Sequence, residues 1–197
     1  METALLVRHG ESVYSVDRRL NGEAAVDVVL TSRGREEASR LADRLSGTDI
    51  DLCVVSEFRR THETADLALA GRDVPRLALP ELNDPRYGRF EGATLEEYRV
   101  WADSARSDAT PSPDGESRLD IAARYVRALR LLLARSERVI LVVTHSLPIA
   151  YVLATRSGDF PRPRVPLVEH AAVHRVTPVE LERAADTLEA WVAAPTW

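Results

Sequence analysis

Lysine is absent from this 197-residue sequence, so all 26 of its basic side chains are arginines. A lysine Schiff base and the lysine of a phosphate-binding loop are therefore both excluded. If the protein handles phosphate, then arginine, histidine and backbone amide groups must supply the contacts.

Cysteine is nearly absent as well. Cys53 is the only one, which rules out an intramolecular disulfide and a zinc site built from cysteines. It lies within the apolar run from Leu52 to Val55, where we expect a small buried core residue and not a nucleophile.

Long apolar runs and strongly basic tracts are also missing. No run approaches the roughly 20 residues needed to span a bilayer, so no membrane segment is predicted. The net charge of −5 and the lack of a basic tract argue against a nucleic-acid partner. The N-terminus lacks the pattern of a secretory leader, and a cytoplasmic location is the expectation.

Three short apolar runs have the length and composition of buried parallel strands: Ala4 to Val7, Leu52 to Val55 and Val139 to Val143. Segments with helical spacing or capping signals lie at about 31–45, 59–69, 116–135 and 147–154. This alternation predicts a single α/β domain over residues 1–197, a three-layer sandwich with a mainly parallel mixed sheet. Residues 171–176 are predicted to form an edge strand, whereas 178–193 fit either a helix or a strand.

Residues 81–114 interrupt the alternation of predicted strands and helices. They contain several prolines and glycines and one short predicted helix at about 94–102. We expect them to form a small lid-like insertion over one end of the sheet. Arg86 and Tyr87 lie on this insertion and are candidates for selecting the substrate, although solvated loop residues are an equally good interpretation.

Basic side chains follow all three predicted strands. The first strand ends at Arg8 and His9, the second is followed by Arg59 and Arg60, and the third by His145. Parallel strands bring their carboxyl ends to one edge of a sheet, where ligands bind in open α/β folds. Arginine offers a planar fork of donors for phosphoryl oxygens, and a neutral histidine can attack phosphorus. The sequence therefore predicts a phosphate site at this edge.

These motifs also resemble those of the histidine phosphatase superfamily, on its phosphoglycerate-mutase-like branch. The matching segments follow one another along the chain from about residue 4 to 176: Arg8-His9-Gly10-Glu11-Ser12, Arg19-Leu20-Asn21-Gly22, Leu30-Thr31 through Ala38, Ser56 through Arg60, Leu82-Asn83-Asp84, Gly88 through Gly92, Gly115-Glu116-Ser117 and Val142 through His145. Ordered matches at compatible spacing are a much stronger signal than the first motif alone.

The resemblance implies roles for single residues. His9 is the implied nucleophile that becomes phosphohistidine, and Arg8, Arg60 and His145 are implied to hold the phosphoryl oxygens. The role of the second arginine falls to Arg60, not to Arg59. Further substrate contacts are implied for Ser146 through its amide, for Asn21 and Gly22 in the substrate loop, and for Ser15, which stands where the family often has asparagine. No metal and no cofactor are implied.

The proton donor is less defined. Asp84 stands where the family often has glutamate, and its shorter side chain must remain protonated to serve as an acid. Glu81 is the second candidate and Glu91 the third, and each alone also fits a solvated loop carboxylate.

The favoured function is hydrolysis of a small organic phosphate ester through a phosphohistidine intermediate. The alternatives are a phosphoglycerate-mutase-type phosphotransferase, for which the chain looks short, and a non-catalytic phospholigand-binding protein. The sequence leaves a homodimer open.

Overall fold

The computed structural model describes residues 1–197 and contains one five-stranded sheet. The strands are β1 (Thr3–Arg8), β2 (Leu52–Val55), β3 (Arg76–Ala78), β4 (Val139–Thr144) and β5 (Val173–Val176). Their order across the sheet is β3-β2-β4-β1-β5. The first four strands are parallel, and β5 pairs antiparallel with β1. The predicted mainly parallel, mixed sheet is thereby confirmed.

Seven α-helices surround the sheet: α1 (Val13–Val16), α2 (Ser32–Leu45), α3 (Arg59–Ala68), α4 (Leu95–Ala102), α5 (Arg118–Leu133), α6 (Ser146–Thr155) and α7 (Pro178–Ala193). Short 3₁₀ turns occupy Pro80–Leu82 and Gly88–Phe90. Several helices begin with a reciprocal cap. In α5, the Ser117 hydroxyl accepts a hydrogen bond from the Asp120 amide, and the Asp120 carboxylate accepts one from the Ser117 amide.

Two apolar cores lie on opposite faces of the sheet, as a three-layer sandwich requires. In β1, Ala4 and Leu6 face the larger core, which includes α5, α6 and α7. Leu5 and Val7 face the smaller core with α2 and α3. This alternation follows from the two-residue side-chain period of a strand. Cys53 is fully buried in the smaller core, as predicted.

The structure adds one strand, decides one alternative that the sequence left open and shifts one predicted helix boundary. β3 was missed because it has only three residues and all of them are exposed, so it carries no apolar signature. Residues 178–193 form a helix, capped by Thr177 and Glu180 and burying Trp191 on its inner face. The long helix α5 begins at Arg118, two positions after the predicted 116, since Ser117 is its cap.

The segment 81–114 carries the second 3₁₀ turn and α4, and it forms one wall of the cavity described below. None of the helices is both long enough and apolar enough to traverse a membrane.

Candidate active site

A cavity of about 330 Å³ opens beside the carboxyl ends of the parallel strands. Arg8 ends β1, Asp84 follows β3, and Arg60 stands in the first turn of α3 after β2. His145 directly follows β4 and is fully buried. Four separate strand ends therefore contribute to one site, as expected for an open α/β sheet.

His9 is buried with one ring nitrogen fixed. Its Nδ1 lies 2.7 Å from the carbonyl oxygen of Gly10, which can only accept, so Nδ1 carries the proton and Nε2 the lone pair. Burial is the largest cause that lowers the pKa of His9 well below its usual value, and Arg60, His145 and Arg8 lower it further. The imidazole is therefore neutral at pH 7, and its unprotonated Nε2 accepts a hydrogen bond from Nε of Arg60.

Arg60 connects most of the other groups. Its Nε lies 3.2 Å from His9 Nε2, its Nη1 donates to Asn21 Oδ1 at 2.5 Å, and its Nη2 donates to Asp84 Oδ2 at 3.0 Å. The guanidinium also packs over the Phe58 ring at 4.3 Å. Arg59, by contrast, is exposed and forms ion pairs with carboxylates outside the cavity. The structure thus brings Arg60 and not Arg59 to His9.

His145 bridges a hydroxyl and a carboxylate. Its Nδ1 lies 3.2 Å from Asp84 Oδ2, and its Nε2 lies 2.8 Å from Ser56 Oγ. Nδ1 also lies 3.2 Å from Nη2 of Arg60, so one ring nitrogen meets both a guanidinium and a carboxylate. Burial lowers the pKa of His145 to about 4, although Asp84 opposes that shift. The ring is therefore neutral at pH 7.

One buried donor of the Arg8 guanidinium has no acceptor in the protein. Its Nη1 donates to the carbonyl oxygen of Val168 at 2.7 Å, whereas its Nε is buried without a hydrogen-bond partner. An unpaired buried donor on a cation is costly unless an acceptor fills the place. An anionic ligand in the cavity would supply such an acceptor.

Asp84 is ionised in the unliganded site. Burial alone would raise its pKa, but His145, Arg60 and Arg8 outweigh burial and bring the pKa to about 2. Of the three acid candidates, only Asp84 lines the cavity. Glu81 lies outside it, and Glu91 is occupied by the backbone amides of Gly22 and Tyr87.

The backbone that carries Asp84 is held on several sides. Arg124 Nη1 donates to the carbonyl oxygens of Glu81 at 2.9 Å and Asn83 at 2.8 Å, and the Tyr125 hydroxyl donates to Asn83 at 3.2 Å. Arg124 is itself paired at 2.7 Å with the buried carboxylate of Glu116. That carboxylate also accepts from the backbone amide of Arg86 at 2.9 Å.

The other predicted contact residues divide into two groups. Ser15, Asn21, Tyr87 and Ser146 line the cavity, whereas Gly22 and Arg86 do not. Arg86 has an exposed side chain. Gly22 has a packing role instead, because a Cβ there would lie 1.8 Å from the carbonyl oxygen of Pro85.

Sequence reasoning missed the wall formed by residues 163–167 and His170. The His170 ring lies 5.8 Å from the His9 ring, between centroids. The predicted edge strand could have placed these residues near His9. A strand that pairs antiparallel with β1 begins at the edge where β1 ends, so the residues before β5 must approach His9.

The profile of the histidine phosphatase superfamily (branch 1) matches residues 4–194. This chain belongs to that superfamily. It is 32% identical over 162 residues to the adenosylcobalamin/alpha-ribazole phosphatase of Escherichia coli, with 78% of each chain covered. It is 30% identical over 160 residues to a probable phosphoglycerate mutase, GpmB, of Proteus mirabilis, covering 78% of this chain and 74% of that one.

A solved phosphatase structure has a similar fold. The mycobacterial glucosyl-3-phosphoglycerate phosphatase in complex with VO3 superimposes with a TM-score of 0.70 at 28% identity, covering 89% of this chain and 92% of that one.

Proposed function

We propose that this protein hydrolyses small phosphomonoesters through a phosphohistidine formed at Nε2 of His9. The observation that carries the proposal is the neutral, buried His9, whose Nδ1 is fixed by Gly10 and whose unprotonated Nε2 accepts from the guanidinium of Arg60. Superfamily membership and the phosphatase names of similar relatives support the same reaction class.

In the first step, His9 Nε2 attacks the phosphorus, and the bond from phosphorus to the ester oxygen breaks. Arg8 and Arg60 neutralise the charge of the phosphoryl oxygens and the neutral His145 helps to hold them, since phosphoryl transfer depends mainly on positioning and charge stabilisation. The departing alkoxide takes a proton from Asp84. In the second step, water attacks the phosphohistidine, Asp84 accepts the proton from that water, and His9 is released with inorganic phosphate.

Asp84 must gain a proton when the substrate binds, because it is ionised in the free site. A bound phosphoryl group competes for Arg60, the cation now paired with Asp84 at 3.0 Å. It also places negative charge beside the carboxyl group. Losing a cation and gaining an anion both raise the pKa of a carboxyl group. Binding of the substrate therefore favours the protonated form of Asp84, which is the form that can donate a proton.

The proposed enzyme needs no metal, because arginines supply the positive charge. Its partners are small phosphate esters and not nucleic acids, and it acts in the cytoplasm.

The first test is His9→Ala, assayed with nitrophenyl phosphate and with a labelled phosphate ester. We expect turnover and acid-labile labelling of the protein both to disappear. His62→Ala is the matched control, because this histidine lies on α3 and does not line the cavity. Normal turnover in His9→Ala would contradict the proposed phosphohistidine mechanism.

Similarity to a probable phosphoglycerate mutase makes transfer between hydroxyl groups the second candidate. Incubation with 3-phosphoglycerate separates the two. Release of inorganic phosphate supports hydrolysis, and isomerised product without release supports the mutase.

A further inference from the structure

The cavity carries far more positive charge than one phosphoryl group requires. Seven arginines and two aspartates line it, an excess of five positive charges in a chain whose net charge is −5. Arg8 and Arg60 belong to the proposed phosphoryl site. The remaining cavity arginines are Arg18, Arg19, Arg99, Arg118 and Arg164.

Three of these form a cluster around one carboxylate. Arg164 makes an ion pair with Asp103, with its Nε 2.9 Å from Oδ1. Arg118 and Arg99 also act on Asp103, because both lower the pKa of its carboxyl group after the larger effect of Arg164. Asp103 and the three arginines line the same cavity, so this part of its wall carries one carboxylate and three guanidinium groups.

Two members of the cluster have no anionic partner of their own. Arg118 donates to the backbone carbonyl oxygens of Ala105 at 3.0 Å and Ala102 at 2.5 Å, which orient the side chain without cancelling its charge. The side chain of Arg99 forms no hydrogen bond or ion pair, although Arg99 lines the cavity. The cluster therefore carries two more positive charges than its one carboxylate balances.

The helix α4 aims Arg99 into the cavity. Leu95, Tyr98, Arg99 and Ala102 all line it, and their spacing of three and four residues places them on one helix face. Ile121 and Tyr151 add apolar surface to the same cavity. At about 330 Å³ the cavity lies within the usual range for organic ligands, so it accommodates a carbon skeleton besides the phosphoryl group.

We propose that Arg99, Arg118 and Arg164 form a subsite for a second oxyanion on the substrate. The preferred substrate is then a phosphomonoester whose alcohol has an apolar skeleton and ends in a carboxylate or a second phosphate. This inference rests on the proposed hydrolase function and specifies its substrate class.

The test compares three six-carbon phosphate esters with the same leaving oxygen. One ends in a methyl group, one in a carboxylate and one in a second phosphate. Because the added charge is far from the ester oxygen, leaving-group acidity stays matched. We expect kcat/KM for at least one charged ester to exceed that of hexyl phosphate by about tenfold, as for a charge-assisted hydrogen bond. The better of the two charged esters identifies the oxyanion.

Arg99→Leu is the decisive variant. We expect it to reduce the ratio of kcat/KM for the better charged ester to kcat/KM for hexyl phosphate by about three- to tenfold. Arg162→Leu is the charge-matched control, since Arg162 is exposed and lies outside the cavity lining. It should leave the ratio unchanged. Sodium chloride at high concentration should also reduce the ratio in the unmodified protein.

Equal kcat/KM for all three esters in the unmodified protein would overturn the subsite while the hydrolase function stands. So would an unchanged ratio in Arg99→Leu. If no ester and no nitrophenyl phosphate is hydrolysed, the proposed function fails and the subsite fails with it.

Discussion

The buried ion pair between Glu116 and Arg124 offers the sharpest test of how the candidate acid is held in place. The side chains are 7% and 13% exposed, and their atoms approach to 2.7 Å. Glu116→Gln keeps the shape but removes the charge. It leaves Arg124 buried without a counter-charge, and it places amide hydrogens against the donors of Arg124 and the Arg86 amide.

Removing one partner of a buried pair costs about 3–5 kcal/mol. Since glutamine retains one acceptor, we expect about 3 kcal/mol for Glu116→Gln. That is a large share of the roughly 5–15 kcal/mol by which a typical protein is stable. The matched control is Glu36→Gln, whose exposed pair with Arg40 spans 3.7 Å and should contribute about 0.5 kcal/mol or less.

Urea unfolding followed by tryptophan fluorescence measures the stability difference. The second readout is turnover under conditions where both variants are folded. Because Arg124 fixes the carbonyl oxygens around Asp84, Glu116→Gln should slow hexyl phosphate more than nitrophenyl phosphate, whose leaving group needs less protonation. Equal stability of the two variants would refute the energetic argument. An unchanged ratio of the two substrates would refute the positioning of Asp84.

Three further predictions follow from the site and its surroundings. Asp84→Asn should slow hydrolysis of hexyl phosphate by roughly 10²-fold or more and that of nitrophenyl phosphate much less, and steady-state kinetics with both substrates checks it. His145 has a folded-state pKa of about 4, below the unfolded value, so its burial destabilises the fold as pH falls from about 6.5 to 4. The melting temperature should drop over that interval, and less so in His145→Gln. Gly22→Ala should lower the free energy of unfolding by about 1–3 kcal/mol, because the added Cβ would meet the carbonyl oxygen of Pro85. In the control Gly47→Ala the Cβ meets no atom within 4 Å and should not destabilise the fold. Thermal unfolding of both variants measures the difference.

The sheet was predictable where its strands are buried on both faces. β1, β2 and β4 are continuous apolar runs, and burial on both faces makes such runs recognisable. β3 had no such signal, since a short exposed edge strand needs neither length nor apolar side chains. For α7, apolar spacing alone was ambiguous, and the cap formed by Thr177 and Glu180 is the local feature that distinguishes a helix.

The site was predictable where its residues directly follow recognised strands. His9, Arg60 and His145 meet because parallel strands share an edge, and that edge follows from the fold class. Arg99 and Arg118 could not be placed in the same way. Their entry into the cavity depends on the path of residues 81–114, which no periodicity determines. The role of Gly22 depends on a backbone contact with Pro85 that only the folded chain reveals.

The strand order has a consequence for how the protein reaches its active form. Arg60 contacts His9 and His145 across sequence separations of 51 and 85 residues, so any fragment that contains the site must extend at least from His9 to His145. These contacts form only after β4 has inserted between β1 and β2. Non-local pairings of this kind form late and slowly during folding. Recovery of activity after refolding should therefore report completion of the whole sheet, with no active intermediate before it.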